Sequence, residues 1–540
     1  MPSKSPIVDI DCTYIPYSET GNFSSLVQDY FENVDSLQPY YKYTPDAAGI
    51  KQAIADRSKY PVNRKVLVDV LTQQYEHLAK HDKVIANIEK LGDENTFTVC
   101  TAHQPNLLTG YLYFIYKILH AIKLADELNT QYSDKHFVPV YYMGSEDNDL
   151  EELGTFRYNN QKYIWDADGQ TGAVGRMKTP SLKPLLNELF RVLGPPGNIT
   201  EELKEELTKA YLHHNTIAEA TQYLVNALFG RFGLIVLNPD DAALKQCFIP
   251  AMQDDMLNHN AYALVSENIE VLEEQYKVQA HPRLINLFYL RDGSRDRIEK
   301  RNGKYMALNT SYTWTEEEII AELNTNPERF SPNVILRGIF QEIILPNIAF
   351  IGGGAEVAYW MELKSTFDNY KAFYPVILLR QSVQWLTAQH NKLRTELGLT
   401  INDLFKTDNA LIRQYIHTNS NSDWHTDEEI KAINAIMQQL QAKASGLDQT
   451  LHASAASAMI KIQHQLDALE KKMLRAEKRR MHTQLERINR LKASAFPNNG
   501  LQERYENFIS YYTEMGEQYF DILYKHIRPL QNEFLVIEAK

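Results

Sequence analysis

The sequence contains little cysteine and no long apolar run. Three of its 540 residues are cysteine, at Cys12, Cys100 and Cys247. This sparse, odd number favours a reducing compartment over a disulfide framework. The longest apolar runs, such as Leu234–Leu237 and Val376–Leu379, have the length of strands and are too short to cross a bilayer. The first 26 residues also lack a sustained apolar stretch, so we expect a cytoplasmic protein with no signal peptide and no membrane partner.

Excess positive charge is missing as well. The chain has 56 Lys and Arg against 69 Asp and Glu, a net charge of −13. This acidity argues against a protein that coats nucleic acid, because contacts to phosphates need an exposed basic surface. Cys100 and His103 have half of a zinc-site spacing with no second pair, and no H-E-x-x-H or G-x-S-x-G motif occurs. We therefore expect no nucleic-acid partner and identify no metal site.

The middle of the chain alternates between strand-like and helix-like patterns. Phe97–Thr101 and Phe137–Met143 are short apolar runs typical of strands, and Tyr111–Asn129 between them has apolar residues at helical spacing. A strand, helix and strand of these lengths form a βαβ unit, which implies an α/β fold with a parallel sheet. Further strands are predicted at Gly233–Leu237, Ile348–Ile351 and Tyr374–Leu379.

Proline is absent between Pro375 and Pro497, and this region has a heptad-like pattern. Its apolar residues recur in steps of three and four, which predicts a C-terminal α-helical coiled coil. Two antiparallel arms linked near Ser445–Gly446 or within Ala453–Ala458 would fit, and a continuous helix is the alternative. The apolar residues that carry the pattern are Ile433, Ile436, Leu440, Ala444, Leu447, Leu451, Met459, Ile462, Leu466, Leu469, Met473 and Ala476.

These patterns divide the chain into five parts. We expect an N-terminal segment with the first half of the core (1–153), connecting insertions with a further core strand near 233–237 (154–330), the second half of the core (331–384), a coiled-coil domain (385–500) and a C-terminal helical segment (501–540). The last segment is expected to return and pack on the body.

The first candidate site segment is the polar loop after the first strand. Ligands of open α/β sheets bind beyond the carboxyl ends of the strands, where helix N-termini offer free N–H groups. On the helix that follows, Tyr113, Lys117 and His120 share one face. A polar loop with a solvated helix stripe is the alternative. The loop candidates for substrate binding are His103, Gln104, Asn106 and Thr109.

The second segment, Gly144–Asp149, follows the next strand and is rich in acid. Glu146, Asp147 and Asp149 repel one another unless a cation or an amine neutralises them. The cluster could bind an ammonium group, hold Mg²⁺ beside a nucleotide or act as a general base, with Ser145 beside it as a further substrate-binding candidate. The alternative is an N-cap with an acidic first helical turn.

The third segment contains three consecutive glycines, Gly352, Gly353 and Gly354, between a strand and a helix. Such glycines let the backbone approach a ligand closely, and their spacing matches neither a dinucleotide fingerprint nor a Walker P-loop. A purely structural turn is the alternative. The helix adds Glu356, Tyr359 and Trp360 as candidates.

Basic residues supply candidate clamps for carboxylate or phosphate groups. Arg337 follows Asn333 in one segment, and Arg380 ends the strand at 374–379. A structural ion pair is an equally good interpretation of each arginine. The cluster of Arg291, Arg295 and Arg297 is expected to be solvated surface.

Over nearly its whole length the chain resembles the bacillithiol biosynthesis cysteine-adding enzymes, a family of cysteine ligases. The resemblance implies a Rossmann-like core related to class I nucleotidyltransferases, inserted connecting segments and a coiled coil through which homodimers form. Its most specific parts are Thr101–Lys117 (TAHQPNLLTGYLYFIYK), Pro139–Asp149 (PVYYMGSEDND), Ser331–Lys364 (SPNVILRGIFQEIILPNIAFIGGGAEVAYWMELK) and Leu501–Arg504 (LQER).

The resemblance also implies a reaction. L-cysteine would be joined through its carboxyl group to the amine of glucosaminyl malate, the last step in making the low-molecular-weight thiol. An amide forms in water only from an activated carboxyl, so ATP is the expected co-substrate, with Mg²⁺ accompanying it. Glu146, Asp147 and Asp149 would bind the incoming amine and take its proton.

This chain departs from the family pattern at three places. Ala102-His103-Gln104 stands where the family usually has G-Q-Q, Gly110-Tyr111 stands where a Gly-Pro is common, and Asn148 stands where the family often has histidine. The chain also lacks the H-x-G-H signature of adenylating enzymes. Two other functions stay open: another nucleotidyltransferase or amino-acid ligase on the same scaffold, and a non-catalytic coiled-coil scaffold protein.

Overall fold

The computed structural model describes residues 9–78, 81–420 and 427–540. The first eight residues, part of the stretch expected to contain no signal peptide, lie outside this description. The chain divides into two compact units. The first comprises Met1–Trp385 together with Gly500–Lys540, and the second comprises Leu386–Asn499. These limits lie within one residue of the expected coiled-coil boundaries.

Strands are numbered here in chain order. They are β1 (Ile10–Pro16), β2 (Thr96–His103), β3 (His136–Met143), β4 (Thr155–Tyr158), β5 (Gln161–Ile164), β6 (Ile235–Leu237), β7 (Leu287–Arg291), β8 (Ser294–Arg301), β9 (Lys304–Ala307), β10 (Thr313–Trp314), β11 (Phe330–Pro332), β12 (Asn347–Gly352), β13 (Val376–Leu379), β14 (Val383–Leu386) and β15 (Glu533–Ala539).

The α-helices of the first unit surround its sheets. They are Tyr17–Thr20, Ser25–Phe31, Ala47–Arg57, Arg64–Gln74, Asp82–Lys90, Leu112–Gln131, Leu150–Leu153, Lys183–Val192, Asn198–His213, Ile217–Phe229, Ala242–Gln246, Ile249–Leu257, Asn260–Leu272, Glu316–Thr325, Val334–Ile344, Gly354–Glu362, Lys364–Asn369, Ile509–Met515 and Gln518–His526.

The central sheet is parallel and has the strand order β13-β12-β2-β3-β6. All five of its strands were predicted, because strands buried on both faces are nearly continuous apolar runs. The chain runs outward from β2 through β3 to β6 and then returns to β12 on the other side of β2, which creates a switch point between β2 and β12. One detail was wrong: Ala102 and His103 extend β2 rather than opening the loop.

The helix Leu112–Gln131 packs against β2 and β3. Its predicted apolar positions are all buried. Lys117 and His120 are buried too, at 3% and 1% exposure, so the solvated-stripe interpretation of this helix is wrong. The helix therefore turns polar as well as apolar groups toward the interior of the first unit.

A second five-stranded sheet, antiparallel in the order β10-β9-β8-β7-β11, lies between β6 and β12 in the sequence. The sequence patterns of Arg283–Tyr289 and Lys304–Asn309 favour peripheral strands, and β7 and β9 overlap these two segments. β8 was not predicted, because its sequence SRDRIEKR contains a single apolar residue, Ile298. This sheet carries Arg295 on β8, which matters for the site below.

The two ends of the described chain pair with each other. β1 and β15 form an antiparallel ladder from Ile10 opposite Ala539 to Pro16 opposite Glu533, and β14 pairs with the other edge of β15. The segment 501–540 was expected to be helical, and its last strand corrects that expectation. The apolar run Phe534–Ile537 is a local signal for this strand, whereas its pairing partner lies more than 500 residues away in the sequence.

The second unit is helical. Its α-helices are Ala388–Glu396, Asp408–Asn419, Asp427–Leu447, Leu451–Arg480 and His482–Ala495. The third and fourth of these pack against each other, and the Gln441 Nε2 and His452 Nε2 atoms lie 3.2 Å apart near the connection. The antiparallel arms are confirmed and the continuous helix is wrong. The link lies at 448–450, between the two predicted positions, both of which are helical.

Candidate functional site

A cavity of about 560 Å³ opens at the carboxyl ends of the central strands. Segments that follow β2, β3, β6, β12 and β13 all contribute to its wall, so it lies at the switch point of the sheet. Fourteen of the predicted site residues line it: His103, Gln104, Tyr113, Lys117, Ser145, Glu146, Asp147, Asn333, Arg337, Gly353, Gly354, Glu356, Tyr359 and Arg380.

Other predicted residues do not belong to the lining. Asn106 and Thr109 are buried beside the cavity loop, each at 2% exposure. Trp360 is buried between Phe350 and Phe367, with ring centroids 4.6 and 5.1 Å away. Trp360 has a packing position that these two rings explain without a ligand.

Gly352 and Asp149 also have structural positions. A Cβ atom on Gly352 would lie 2.9 Å from both the Phe350 ring and the Glu356 Cβ, so close packing requires glycine there. Asp149 is exposed and caps the short helix Leu150–Leu153 by accepting a hydrogen bond from the Glu152 N–H at 3.1 Å. The N-cap interpretation of the acidic loop therefore describes Asp149.

Arg337 lies in the cavity wall on the helix Val334–Ile344. Its Nη2 donates to the Tyr359 hydroxyl at 2.6 Å and its Nη1 to Gln341 Oε1 at 3.3 Å. Asn333 starts this helix by accepting a hydrogen bond from the Ile335 N–H at 2.9 Å. The guanidinium group is thus fixed by neutral partners.

Arg295 reaches the same cavity from β8, although it was expected to be solvated surface. Its guanidinium carbon lies 3.9 Å from the centroid of the Phe288 ring, and its Nε donates to Ser331 Oγ at 3.2 Å. Nη1 and Nη2 donate to Asn148 Oδ1 and Pro332 O at 3.1 and 3.3 Å. The expectation failed because only the antiparallel sheet brings this residue to the switch point.

Arg504 completes a set of three arginines in the lining. Among the described residues, no carboxylate lies within 4.0 Å of Arg295, Arg337 or Arg504. We refer to them as the three unpaired arginines. Their charges are available to an anionic ligand, and guanidinium groups bind carboxylate and phosphate oxygens in pairs.

Arg380 differs from these three. Its Nη1 and Nη2 donate to the two carboxylate oxygens of Glu503 at 2.7 and 2.6 Å, and both side chains are buried. Nη1 also donates to Ser382 Oγ at 3.2 Å. Arg380 lines the cavity, but its charge is compensated by this structural ion pair.

Lys117 and Glu356 form a second compensated pair in the lining. The Lys117 ammonium also donates to the Ala102 carbonyl at 3.1 Å, and burial lowers its pKa. Glu356 accepts a hydrogen bond from the Gly353 N–H at 2.8 Å, which fixes the start of the helix Gly354–Glu362. This pair ties β2 to the triple-glycine turn.

His103 is a neutral imidazole in this setting. Burial, together with the nearby charges of Lys117, Arg380 and Arg337, holds its pKa well below the ordinary value. Its ring lies edge-on to Tyr113, with centroids 5.3 Å apart. Within the described part of the chain its Nε2 atom has no hydrogen-bond partner.

Asp147 is one of two cavity acids, with Glu152, that form no ion pair among the described residues. Its Oδ2 accepts a hydrogen bond from Gln104 Nε2 at 3.1 Å, and its Oδ1 accepts one from the Asn148 N–H at 2.7 Å. No lysine or arginine nitrogen among the described residues lies within ion-pair distance of it. Asp147 can therefore receive a cationic group from a ligand.

Glu146 lies in the same loop but is already paired. Its carboxylate contacts the ammonium group of Lys245, which is fully buried. Burial raises the pKa of Glu146, and the charge of Lys245 counteracts this rise. Lys245 was not predicted, because it is a single lysine of a short helix whose contact with Glu146 exists only in the folded chain.

Several further lining residues were also missed. Glu152 and Tyr142 flank the acidic loop, and Phe288 and Pro239 come from the insertions. Arg504 alone had a usable signal, since it ends the LQER motif that carries part of the family resemblance. Among the described residues no group of three or more His, Cys, Asp and Glu side chains is arranged to hold a metal ion.

None of the described helices combines the length and the apolar character needed to cross a bilayer.

Comparison with known proteins gives two family matches. Residues 10–381 match the model described as "Bacillithiol biosynthesis BshC, N-terminal Rossmann-like domain", and residues 383–539 match "Bacillithiol biosynthesis BshC, C-terminal coiled-coil domain". A solved structure of an arginyl-tRNA synthetase homologue from Campylobacter jejuni has a TM-score of 0.19 at 9% identity, with 86% of this chain and 97% of that chain covered. A likeness this low carries no argument.

Curated relatives span the whole chain. Proteins of Flavobacterium johnsoniae and Christiangramia forsetii are 39% and 37% identical to it, covering 98% and 97% of this chain and 99% and 98% of their own length. A Salinibacter ruber protein is 28% identical over 95% of this chain and 96% of its own. All three are named "Putative cysteine ligase BshC". With both family models and these relatives in agreement, the chain belongs to the bacillithiol biosynthesis BshC family, with a Rossmann-like core and a C-terminal coiled-coil domain.

Proposed function

We propose that this chain is a ligase that joins the carboxyl group of L-cysteine to the amine of glucosaminyl malate. The relatives' name supplies the reaction class. The observation that carries the proposal is the charge pattern of one cavity, which holds three unpaired arginines and the unpaired carboxylate of Asp147. Glucosaminyl malate has carboxylates at one end and an amine at the other, so it matches both kinds of charge.

The arginines form the anion-binding part of the proposed site. Arg337 and Arg295 are held by neutral partners, Tyr359 and the Ser331 hydroxyl among them, so their orientation is set before a ligand binds. Preorganised guanidinium groups bind carboxylates more strongly than mobile ones, because less side-chain entropy is lost. The malyl carboxylates are the groups of this substrate that fit them.

Asp147 is the proposed partner of the amine. An ammonium group cannot attack a carboxyl carbon, since its electron pair holds a proton. The Asp147 carboxylate, oriented by Gln104, can bind the ammonium form and accept its proton when the amide bond forms. The neutral His103 and the paired Glu146 stand as secondary candidates for proton transfer.

The cysteinyl carboxyl must also be activated, because carboxylate oxygen is a poor leaving group. ATP, accompanied by Mg²⁺, would supply the activating phosphoryl or adenylyl group when bound. The three unpaired arginines and the N-terminus of the helix Gly354–Glu362 suit an anionic group of this kind. A phosphate-bearing ligand therefore fits the donor set of the cavity.

Mass spectrometry of the reaction products tests the proposal. Purified protein is incubated with L-cysteine, glucosaminyl malate and ATP, and matched reactions omit one component each. We expect a thiol with the combined mass of the two substrates less one water, formed only in the complete mixture. Failure to form this thiol would reject the proposed reaction, and ligation of cysteine to a different amine would support the other amino-acid ligases of this scaffold.

We further propose that the second unit forms homodimers. Several of its apolar side chains are exposed along the two paired helices, and coiled-coil seams bury such residues against a second copy. They are Ile436, Leu440, Leu447, Leu451, Ile460 and Leu469, which are between 41% and 85% exposed.

A further inference from the structure

A buried chain of alternating charges extends outward from the wall of the cavity. Glu146 pairs with Lys245, whose Nζ also lies 3.7 Å from Asp240 Oδ1. Asp240 in turn accepts two hydrogen bonds from Arg176, at 2.6 and 2.7 Å. Glu146, Asp240 and Lys245 are buried, and Arg176 forms the outer end. The proposed mechanism uses only Glu146, so the role of the other three residues is unexplained.

Separate segments bring these groups together. Glu146 follows β3, Asp240 and Lys245 follow β6, and Arg176 lies in the insertion between those strands. Both cations also donate to the Glu328 carbonyl, Arg176 at 3.1 Å and Lys245 at 3.4 Å. Because each cation has several fixed acceptors, the position of the Lys245 ammonium is determined by the fold and not by Glu146 alone.

The local backbone fits this interpretation. A Cβ atom on Gly175 would lie 2.4 Å from the Ser145 carbonyl oxygen, so only glycine lets the segment before Arg176 approach the acidic loop this closely. The Gly175 N–H donates to the same carbonyl at 2.9 Å. The insertion that carries Arg176 is therefore hydrogen-bonded directly to the loop that carries Glu146.

Electrostatics gives Lys245 a specific task. Burial raises the pKa of Glu146, the Asp240 charge raises it further, and the charges of Lys245 and Arg295 lower it. Lys245 is the only one of these cations in direct contact with the carboxylate. The charge of Glu146 also acts on Tyr142 on β3 and on Arg176 beyond Asp240, and Asp147 follows it in the same loop. Loss of the lysine would leave Glu146 buried beside Asp240 with no direct counter-charge.

We propose that Lys245 is a positioning residue of this site, which holds the Glu146 carboxylate ionised and fixed at the wall of the cavity. The inference rests on the proposed function for one point, the participation of Glu146 in proton transfer from the amine or in orienting Asp147. The pairing itself does not depend on the reaction, so it can be tested separately.

The first test is the pH profile of kcat/KM for glucosaminyl malate in Lys245→Met, which keeps the side-chain length without the charge. We expect the acid limb of this profile to move to higher pH by about one unit. At pH values below the limb, kcat/KM should fall about tenfold, since one pKa unit is a tenfold change in ionisation. Lys245→Arg should restore the limb, because it returns the charge. An active Lys245→Met enzyme with the unchanged limb would overturn the proposal.

The second test is unfolding of the ligand-free proteins in urea at several pH values. Lys245→Met should lower the urea midpoint more at pH 8 than at pH 5, and adding Glu146→Gln to it should recover most of the loss. Lys406→Met, which removes the partner of Asp403 in the second unit, is the matched control and should leave the pH profile of activity unchanged. Equal urea midpoints for the single and double variants would refute the pairing of Lys245 with Glu146. This result does not depend on ligase activity. A wild-type protein without ligase activity would refute the proposed function alone.

Discussion

Single residues of the cavity divide into those with a compensated charge and those without. The compensated charges hold the fold of the site, because each pair joins segments that are distant in the sequence. Asp147, Glu152 and the three unpaired arginines remain for a ligand. The compensated pairs are Lys117 with Glu356, Arg380 with Glu503, and Glu146 with Lys245. Residue type alone could not separate these paired side chains from the unpaired ones.

Arg337→Met tests the anion-binding part. A hydrogen bond to a charged group contributes roughly 1.5–3 kcal/mol, so the KM for glucosaminyl malate should rise about 10- to 100-fold with a smaller change in kcat. Steady-state kinetics with cysteine and ATP held at saturation measure this. Arg291→Met is a matched control, since Arg291 stacks on Tyr312 and does not line the cavity. Equal KM values for the two variants would contradict this role of Arg337.

Glu342 gives a prediction about stability and pH. It is 2% exposed, and burial raises its pKa to about 7, although Asn347 Nδ2 and Gln341 Nε2 both donate to its Oε1 at 2.8 Å. Because the folded state binds this proton more tightly than the unfolded state, its contribution to stability is present at low pH and is lost as the pH rises through about 7.

Glu342→Gln keeps both accepted hydrogen bonds and removes the charge. We expect its free energy of unfolding to exceed that of the wild type by on the order of 3 kcal/mol at pH 8.5 and by about 1 kcal/mol or less at pH 5. Urea unfolding at the two pH values measures the difference. A variant less stable than the wild type at pH 8.5 would show that the carboxylate is stabilising.

At the scale of elements, the sequence predicts whatever is locally patterned. The five strands of the parallel sheet are buried apolar runs, and the helical arms have a heptad pattern, so both were predictable. β8 is half-buried and charged, and β1 pairs with β15 across the whole chain. Neither β8 nor β1 has a local pattern that distinguishes it from a loop. Because β8 was not predicted, Arg295 was wrongly expected to be solvated surface.

The helical arms lead to a prediction about assembly. Ile460 is 59% exposed on the helix Leu451–Arg480. In the proposed dimer, Ile460→Asp places a charge in an apolar seam, which should weaken association at least about tenfold. Light scattering after size exclusion should find twice the 62.3 kDa chain mass for the wild type and a lower mass for the variant.

Val192 offers the control for that experiment. It is an apolar residue of the first unit with 49% exposure, and Val192→Asp should leave the mass unchanged. A wild-type protein of single-chain mass at micromolar concentration would contradict the dimer.

At the scale of the whole molecule, the last 41 residues return to complete the first unit. Glu503 forms its buried ion pair with Arg380 across 123 positions of sequence. Removing one partner of such a pair leaves an uncompensated charge, so Glu503→Gln should lower the free energy of unfolding by about 3–5 kcal/mol. Urea unfolding measures the loss.

The double variant separates the ion pair from other effects at this position. Arg380→Met combined with Glu503→Gln removes both charges and should recover much of the loss, because replacing a whole buried pair is often close to neutral. Additive losses would show that the two residues stabilise the first unit independently. Contacts of this range also explain why sequence patterns placed Arg380 in the site but could not identify its partner.

The most direct measurement of the central claim compares Asp147→Asn with Asp149→Asn in the ligation of L-cysteine to glucosaminyl malate. The two acids are two residues apart in one loop, yet Asp147 lines the cavity and Asp149 caps a helix at the surface. We predict that kcat/KM falls at least about 100-fold in Asp147→Asn, as expected for loss of a general base, and less than about threefold in Asp149→Asn, since asparagine is an equally good cap. Equal activity of the two variants, whether retained or lost, would contradict the assignment of Asp147 as the partner of the amine.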